Sequence, residues 1–245
     1  MPFVGAGVVP RVELRHAFAL SFTDPTRLAP MNRRDFSSAL LATGTGASLL
    51  LATGAARAQA PVEGRDYSLI QPPQTPANAA KIEVFEFFSY ACPHCSTFEP
   101  MVGPWSRSLP GDVAFRRVPV NFLFNAENFQ RTYFTLESMG LVEQMQSKVF
   151  AAVHVERQRF DKAEDIAAFV TKNGGDGAKF LATFKSFSVA TAVTKAKKLQ
   201  ADYKIESVPA LTIHGRYLTS PSQASGAPQS LAVADALIDK VRRKA

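Results

Sequence analysis

SYACPHCSTF, Ser89 to Phe98, holds both cysteines of the chain, Cys92 and Cys95, with Pro93 and His94 between them. Three chemistries use a cysteine pair at this spacing. A purely structural disulfide is the first. It would close a loop of four residues and contribute only about 2 kcal/mol of loop-closure entropy before strain, a poor staple for a chain of this length. A closed metal site is the second. Such a site wants four ligands in two short pairs. Beyond the cysteines the chain offers His16, His94, His154 and His214, none of them in a second close pair. A reactive redox pair is the third, and it gives every position a physical use.

The apolar run KIEVFEFF (Lys81–Phe88) reads as a strand entering the pair. After Cys92, the spacing of Phe98, Met101, Val102 and Trp105 predicts a helix. Cys92 then stands at a strand-to-helix junction, and Pro93 fits the first helical position, where its missing N–H costs nothing. The free N–H groups and the positive dipole end of that first turn face the Cys92 sulfur. A thiolate there is stabilised, so the thiol becomes more acidic and the sulfur a better leaving group. Cys92 is expected to be exposed and reactive, Cys95 deeper and resolving. His94 adds a ring able to donate to the thiolate or to place positive charge beside it.

The rest of the chain agrees with one exported α/β protein. Of its 245 residues, 46% are hydrophobic and 20% charged, enough for a sizeable core. The net charge is +7, but residues 1–58 hold six arginines against three acids, so the remainder carries 22 basic and 18 acidic side chains. The mild KAKK run, Lys195–Lys198, reads as a solvated helix face and not as a nucleic-acid site. MNRRDF (Met31–Phe36), the apolar stretch Ala39–Ala52 and ARA (Ala56–Ala58) have the three parts of a secretory signal peptide at 31–58. Residues 1–30 then read as a non-native extension ahead of a true start at Met31, or else as an unusually long leading region. Two adjacent arginines leave the export route, general or twin-arginine, open.

An edge strand is expected before QPPQTP (Gln71–Pro76), whose prolines forbid a central position. Pro100 and Pro104 are expected to kink the first helix or end its first section. DVAFRRVPVNF (Asp112–Phe122) reads as a second core strand whose pairing stops at Pro119. The period then becomes helical, with stripes Phe129, Tyr133, Leu136 and Val142, Met145, Val149, Val153. DKAE (Asp161–Glu164) predicts a helix capped by Asp161 and ending near Asn173–Gly175. A short helix around Phe180–Phe184 and a long one from Ser188 follow. ALTIHGRYLT (Ala210–Thr219) predicts a hairpin turning at His214–Gly215, and Leu231–Val241 a terminal amphipathic helix. His154 and His214 read as surface or turn residues.

EFFSYACPHC, together with VNF (Val120–Phe122), SVPALTIHGRY (Ser207–Tyr217) and YSLIQP (Tyr67–Pro72), resembles the DsbA family of bacterial periplasmic thiol oxidases. The resemblance runs over about residues 63–243. It implies an α/β thioredoxin fold, 63–124 and 188–243, with an inserted α-helical domain at 125–187. It implies that Pro209 is cis and faces the cysteines, with Val208 and Pro209 offering backbone groups to a substrate strand. Alternation puts Glu86 on one face of its strand with Val84 and Phe88, hence buried. The family has an acid there with a nearby lysine, affecting proton movement beneath the pair. Here Arg117 stands where that lysine would be, and arginine does not readily give up its proton. Glu86 with Arg117 is therefore either a fixed structural couple or a functional one.

The expected activity is that of a thiol:disulfide oxidoreductase donating the Cys92–Cys95 disulfide through a mixed disulfide at Cys92, with Pro93, His94 and Glu86 tuning it. Reduced, folding exported proteins and a DsbB-type membrane reoxidase are the partners the resemblance implies. It implies a monomer in the periplasm, with no cofactor, metal or nucleic acid. Alternatives are a reductase or isomerase of the same fold, or a non-catalytic peptide binder or chaperone.

Overall fold

The computed structural model of the protein describes residues 60–78 and 80–244. The expected extension at 1–30 and the expected signal segment at 31–58, with cleavage after Ala58, lie outside the described residues. β1 (Ser68–Leu69), β2 (Ile82–Phe88), β3 (Val113–Pro119), β4 (Ala210–Ile213) and β5 (Tyr217–Thr219) form one sheet in the order β1-β5-β4-β2-β3. β2 and β3 are parallel, joined through α1 (Pro93–Ser108); the other pairings are antiparallel. Between β3 and the long α6 (Phe187–Asp202) come four helices, α2 (Ala126–Ser138), α3 (Val142–His154), α4 (Ala163–Lys172) and α5 (Gly177–Phe184). α7 (Ala227–Arg242) closes the described chain.

β2 is buried along its whole length because helices cover both faces of the sheet, which is why its sequence is a near-continuous apolar run. Its alternation sorts the core into two layers. Ile82 and Val84 pack with Phe98 and Val102 of α1 and with Leu237 and Ile238 of α7. Phe85 and Phe87 pack with Val193 and Tyr203, in a cluster that continues through Phe129, Met145 and Phe180 of the intervening helices to Cys92 and Cys95. The helical segment and the cysteine pair therefore share one apolar core.

The hairpin turns where expected. His214 and Gly215 both have positive φ, 51° and 65°, as the centre of a mirror-image turn requires, and Arg216 N–H closes it on the Ile213 carbonyl at 3.0 Å; with Ile213 paired to Tyr217 the loop spans residues 214–216. Gly215 also has no room for a Cβ, which would lie 2.0 Å from the Gln74 carbonyl oxygen. Lys195, Lys197 and Lys198 stand exposed on α6, where Lys198 pairs with Asp202.

Three local expectations change. α1 runs from Pro93 to Ser108 with Pro100 and Pro104 inside it, so neither proline ends the helix. Both prolines face solvent, where the carbonyls they leave unpaired reach water, while Cys95, Phe98, Glu99 and Val102 hold the opposite face down. Asp161 does not cap α4; the cap position is Lys162, without a side-chain bond, and Asp161 accepts instead from Arg159. The loop there is held by Asn125 and Asn128, whose amides donate to the carbonyls of Phe160 and Asp161. His154 is no free surface residue: its Nε2 lies 2.8 Å from the Tyr90 carbonyl oxygen, beside the cysteine loop.

Candidate active site

β2 delivers the chain to Ser89, and the turn that follows is tied by Cys92 N–H donating to the Ser89 carbonyl at 3.0 Å. Cys92 is the N-cap of α1, with extended φ and ψ of −87° and 116°, and Pro93 opens the helix. The cap side chain is the sulfur itself. Cys95 N–H donates to Cys92 Sγ at 3.4 Å, a slot where helix starts usually carry a hydroxyl or carboxylate oxygen. The Cys92 thiol is brought down from 9.0 to about 6, first by the hydrogen bond with the Cys95 thiol, then by the backbone N–H groups of Cys95 and His94, against the opposing effect of burial. Burial pushes the Cys95 thiol strongly up, and its bond to the Cys92 sulfur pushes it further. At neutral pH the reduced pair is thus a Cys92 thiolate receiving the Cys95 S–H.

The expected exposure of Cys92 needs correction. Cys92 is 6% exposed and Cys95 1%, so the order holds but Cys92 is itself buried. Its cover includes the loop before β4: the Val208–Pro209 peptide is cis, and Cys92 Sγ lies 3.5 Å from the Val208 carbonyl oxygen. Val208, half-buried, and Pro209, buried, thus stand beside the cysteines as expected. His94 is exposed, and its positive charge is the weakest of the named influences on Cys92, behind its own backbone N–H. The backbone does most of what the sequence reading assigned to the ring.

Glu86 and Arg117 face each other in the β2–β3 register and are joined by an Arg117 Nε–H bond to Glu86 Oε2 at 2.9 Å. A third member escaped the sequence reading. Glu99 of α1 accepts from the other end of the same guanidinium, its two oxygens 3.1 and 3.2 Å from Nη2. All three are buried: Glu86 1%, Arg117 6% and Glu99 7% exposed. Burial raises Glu86 above the usual carboxylate range and Glu99 to about 7, with Arg117 opposing both. Glu99 was within reach of the sequence: it follows Cys95 by one helical turn, on the face that Phe98 and Val102 mark as inward. Above the triad, Tyr90 O–H donates to Gln146 Oε1 at 2.5 Å, two further buried groups that no motif flagged.

The chemistry available is thiol–disulfide exchange. An acidified sulfur at a helix start is a good leaving group and a poor place for a proton, and a deeper thiol one turn on can attack it. Comparison with known proteins agrees. Residues 110–237 match the family model described as a DSBA-like thioredoxin domain. The thiol:disulfide interchange protein DsbA of Pseudomonas aeruginosa is 38% identical over 193 residues, 78% of this chain and 90% of that protein. Its namesake in Bordetella pertussis is 37% identical over 214 residues, 87% of this chain and the whole of the relative. The crystal structure of Pseudomonas aeruginosa DsbA superposes with a TM-score of 0.72, covering 75% of this chain and 95% of that one. The oxidoreductase DsbA from Xylella fastidiosa, 27% identical, superposes at 0.69 over 75% and 98%. With its acidified Cys92, its facing Val208–Pro209 loop and these relatives along most of its length, the chain belongs to the DsbA family of thiol:disulfide oxidoreductases.

Proposed function

We propose that the protein is an exported oxidase that passes its Cys92–Cys95 disulfide to reduced, folding proteins in the periplasm and is reset by a DsbB-type membrane reoxidase. A substrate thiolate attacks Cys92 Sγ; the Cys92–Cys95 bond breaks and a mixed disulfide forms. A second substrate thiolate attacks the substrate sulfur of that bond, and Cys92 leaves as thiolate. Two electrons move from substrate to enzyme in all. The carrying observation is the Cys92 sulfur seated as the N-cap of α1, where Cys95 N–H donates to it at 3.4 Å and the thiol is made more acidic, because stabilising the thiolate stabilises the reduced enzyme and makes the disulfide a stronger oxidant. The substrate strand is read along Val208 and Pro209, and Pro93 and His94 set the first turn whose N–H groups hold the thiolate. In this reading 125–187 is a helical insertion in a thioredoxin-like unit of 63–124 and 188–243, residues 31–58 are removed on export, and the enzyme works as a monomer.

Redox titration against glutathione tests the reading. The Cys92–Cys95 pair is expected to be reduced at glutathione ratios that leave ordinary structural disulfides intact. A pair that stays oxidised there would make the protein a reductase. Intact-mass analysis of the exported protein is expected to place its first residue near Gln59.

A further inference from the structure

Beside Ala91, the residue before Cys92, lies a hollow that the exchange chemistry leaves unused. Phe124, Phe129 and Val153 give it apolar walls. Arg157 and Arg159, both exposed, stand at its mouth, and among the described residues no acid lines it. Its volume of about 260 Å³ falls below the roughly 300 to 1,000 Å³ of small-molecule sites, and suits a single side chain.

The walls are fixed from several sides. His154 is the last residue of α3, and its Nε2 lies 2.8 Å from the Tyr90 carbonyl oxygen, which fastens one wall to the turn before Cys92. The segment after it folds back on α3: the N–H groups of Val155 and Glu156 donate to the Ala151 carbonyl, and that of Gln158 to the Ala152 carbonyl. Its far end is held by the Asn125 amide, which donates to the carbonyls of Arg159 and Phe160 at 3.1 and 2.9 Å. The Arg159 guanidinium stands 5.2 Å from the centre of the Phe124 ring. Phe124 is still 58% exposed, an aromatic surface of the kind that anchors contacts.

The charge at the mouth is one-sided. Arg159 pairs with Asp161 at 2.9 Å, and Glu156 is engaged by the Gln158 amide at 2.6 Å. Arg157 makes no ion pair among the described residues. The negative end of α3 is blunted, because its Ala151 and Ala152 carbonyls already accept bonds. An extended chain advances about 3.3 Å per residue, so a residue two to four from a cysteine joined to Cys92 can reach past Ala91.

We propose that this hollow selects among substrates by taking an acidic side chain two to four residues from the substrate cysteine, its aliphatic stem against Phe124 and Val153 and its carboxylate towards Arg157 and Arg159. This rests on the oxidoreductase reading above. The bonds made and broken in the exchange stay the same. The arginines act on the encounter and on how long the chain stays seated, so reduced proteins with cysteines in acidic segments are favoured over those with cysteines in basic ones.

The test uses the oxidised full protein and dithiol peptides that differ in one residue, Glu, Gln, Lys or Phe, three positions to either side of the first cysteine. Reduction of the protein is followed at pH 7 by acid quench and mass. Each rate is divided by that of the same peptide with hydroxyethyl disulfide, an uncharged reagent, so that the thiol's own reactivity cancels. On one side of the cysteine the order is expected to be Glu, Gln, Lys, with roughly threefold to tenfold between the ends. The spread is expected to shrink in about 0.5 M salt. Arg157→Glu is expected to cancel the order, and the further change Arg159→Glu to reverse it. Arg157→Lys is expected to keep it, and so is Lys197→Glu, an equal charge change on the solvated face of α6. The readout is a ratio between peptides, which a general loss of folding would not move. An order that survives Arg157→Glu with Arg159→Glu, that Lys197→Glu changes as much as Arg157→Glu does, or that puts Phe first with Glu and Lys equal, overturns the proposal and leaves the oxidoreductase reading intact. A disulfide that none of the peptides reduces overturns both.

Discussion

Reducing the Cys92–Cys95 bond exposes a pH dependence of stability that the oxidised protein lacks. Its size follows from one displaced thiol. Cys92 falls from 9.0 to about 6 on folding. For an acid depressed in the folded state, the stability gained is present above the unfolded value and lost as pH falls through the folded one. The gain is 1.36 kcal/mol times the logarithm of (1 + 10^(pH−6))/(1 + 10^(pH−9)). That is close to zero at pH 5, about 1.4 kcal/mol at pH 7 and about 2.7 kcal/mol at pH 8. These are upper figures, because water reaching the sulfur screens part of the effect. Loop closure gives the oxidised form a constant advantage that does not change with pH. The measurable quantity is therefore the difference in unfolding free energy, reduced minus oxidised, from denaturant melts at pH 5, 6, 7 and 8. It is expected to climb by about 2 to 2.6 kcal/mol in favour of the reduced form. The Cys95 thiol, raised by burial, is also present only in the reduced form, but it counts against folding only as pH approaches its unfolded value of 9.0 and changes little up to pH 8; the groups that both forms share cancel. A difference flat within about 0.5 kcal/mol over that range would mean that the sulfur is not held as a thiolate by the helix start, and the oxidase argument would lose its base.

Limited alkylation of the reduced protein at pH 7, followed by peptide mapping, should label Cys92 well before Cys95, since only Cys92 is ionised there; preferential labelling of Cys95 reverses their roles. His94→Ser should raise the Cys92 thiol by less than one unit and make the potential more negative by less than about 30 mV, because the backbone N–H groups remain. Thiolate absorbance and the glutathione equilibrium measured on the same variant decide it, and a much larger shift would restore the ring to the main role. Arg117→Met leaves Glu86 and Glu99 buried without a counter-charge and should cost about 3 to 5 kcal/mol at pH 8. The loss should shrink at pH 5, because acids with raised folded values become neutral as pH falls towards the unfolded ones. A cost below about 1 kcal/mol at pH 8 would show that the triad is not held as charges.

The local chemistry of this protein was legible in one dimension. A strand-favouring run, a Cys-Pro-His-Cys step and an amphipathic stripe lie within some 25 residues. Every interaction that acidifies Cys92 is made within four residues of it, since Cys95 and His94 supply the donors. The same locality explains why the hairpin at His214–Gly215 and the helical stripes between β3 and α6 were readable, as periodicity and turn chemistry are properties of short segments. Glu86 could be sent inward by alternation alone, whereas Arg117 was named as its neighbour only through the family resemblance. What the linear order could not supply was every relation across elements. Glu99 became the third member of the charge cluster only when α1 was laid on the sheet, bringing residues 18 apart onto one guanidinium. Tyr90 found Gln146 across 56 residues, and Cys92 met the Val208 carbonyl 116 residues downstream. The prolines of α1 and the cap of α4 went against local rules for the same reason. A buried face, packed on the sheet for α1 and on α5 for α4, outweighs the roughly 3 kcal/mol of a proline inside a helix or the roughly 1 kcal/mol of an absent cap, and only the tertiary structure says which faces are buried.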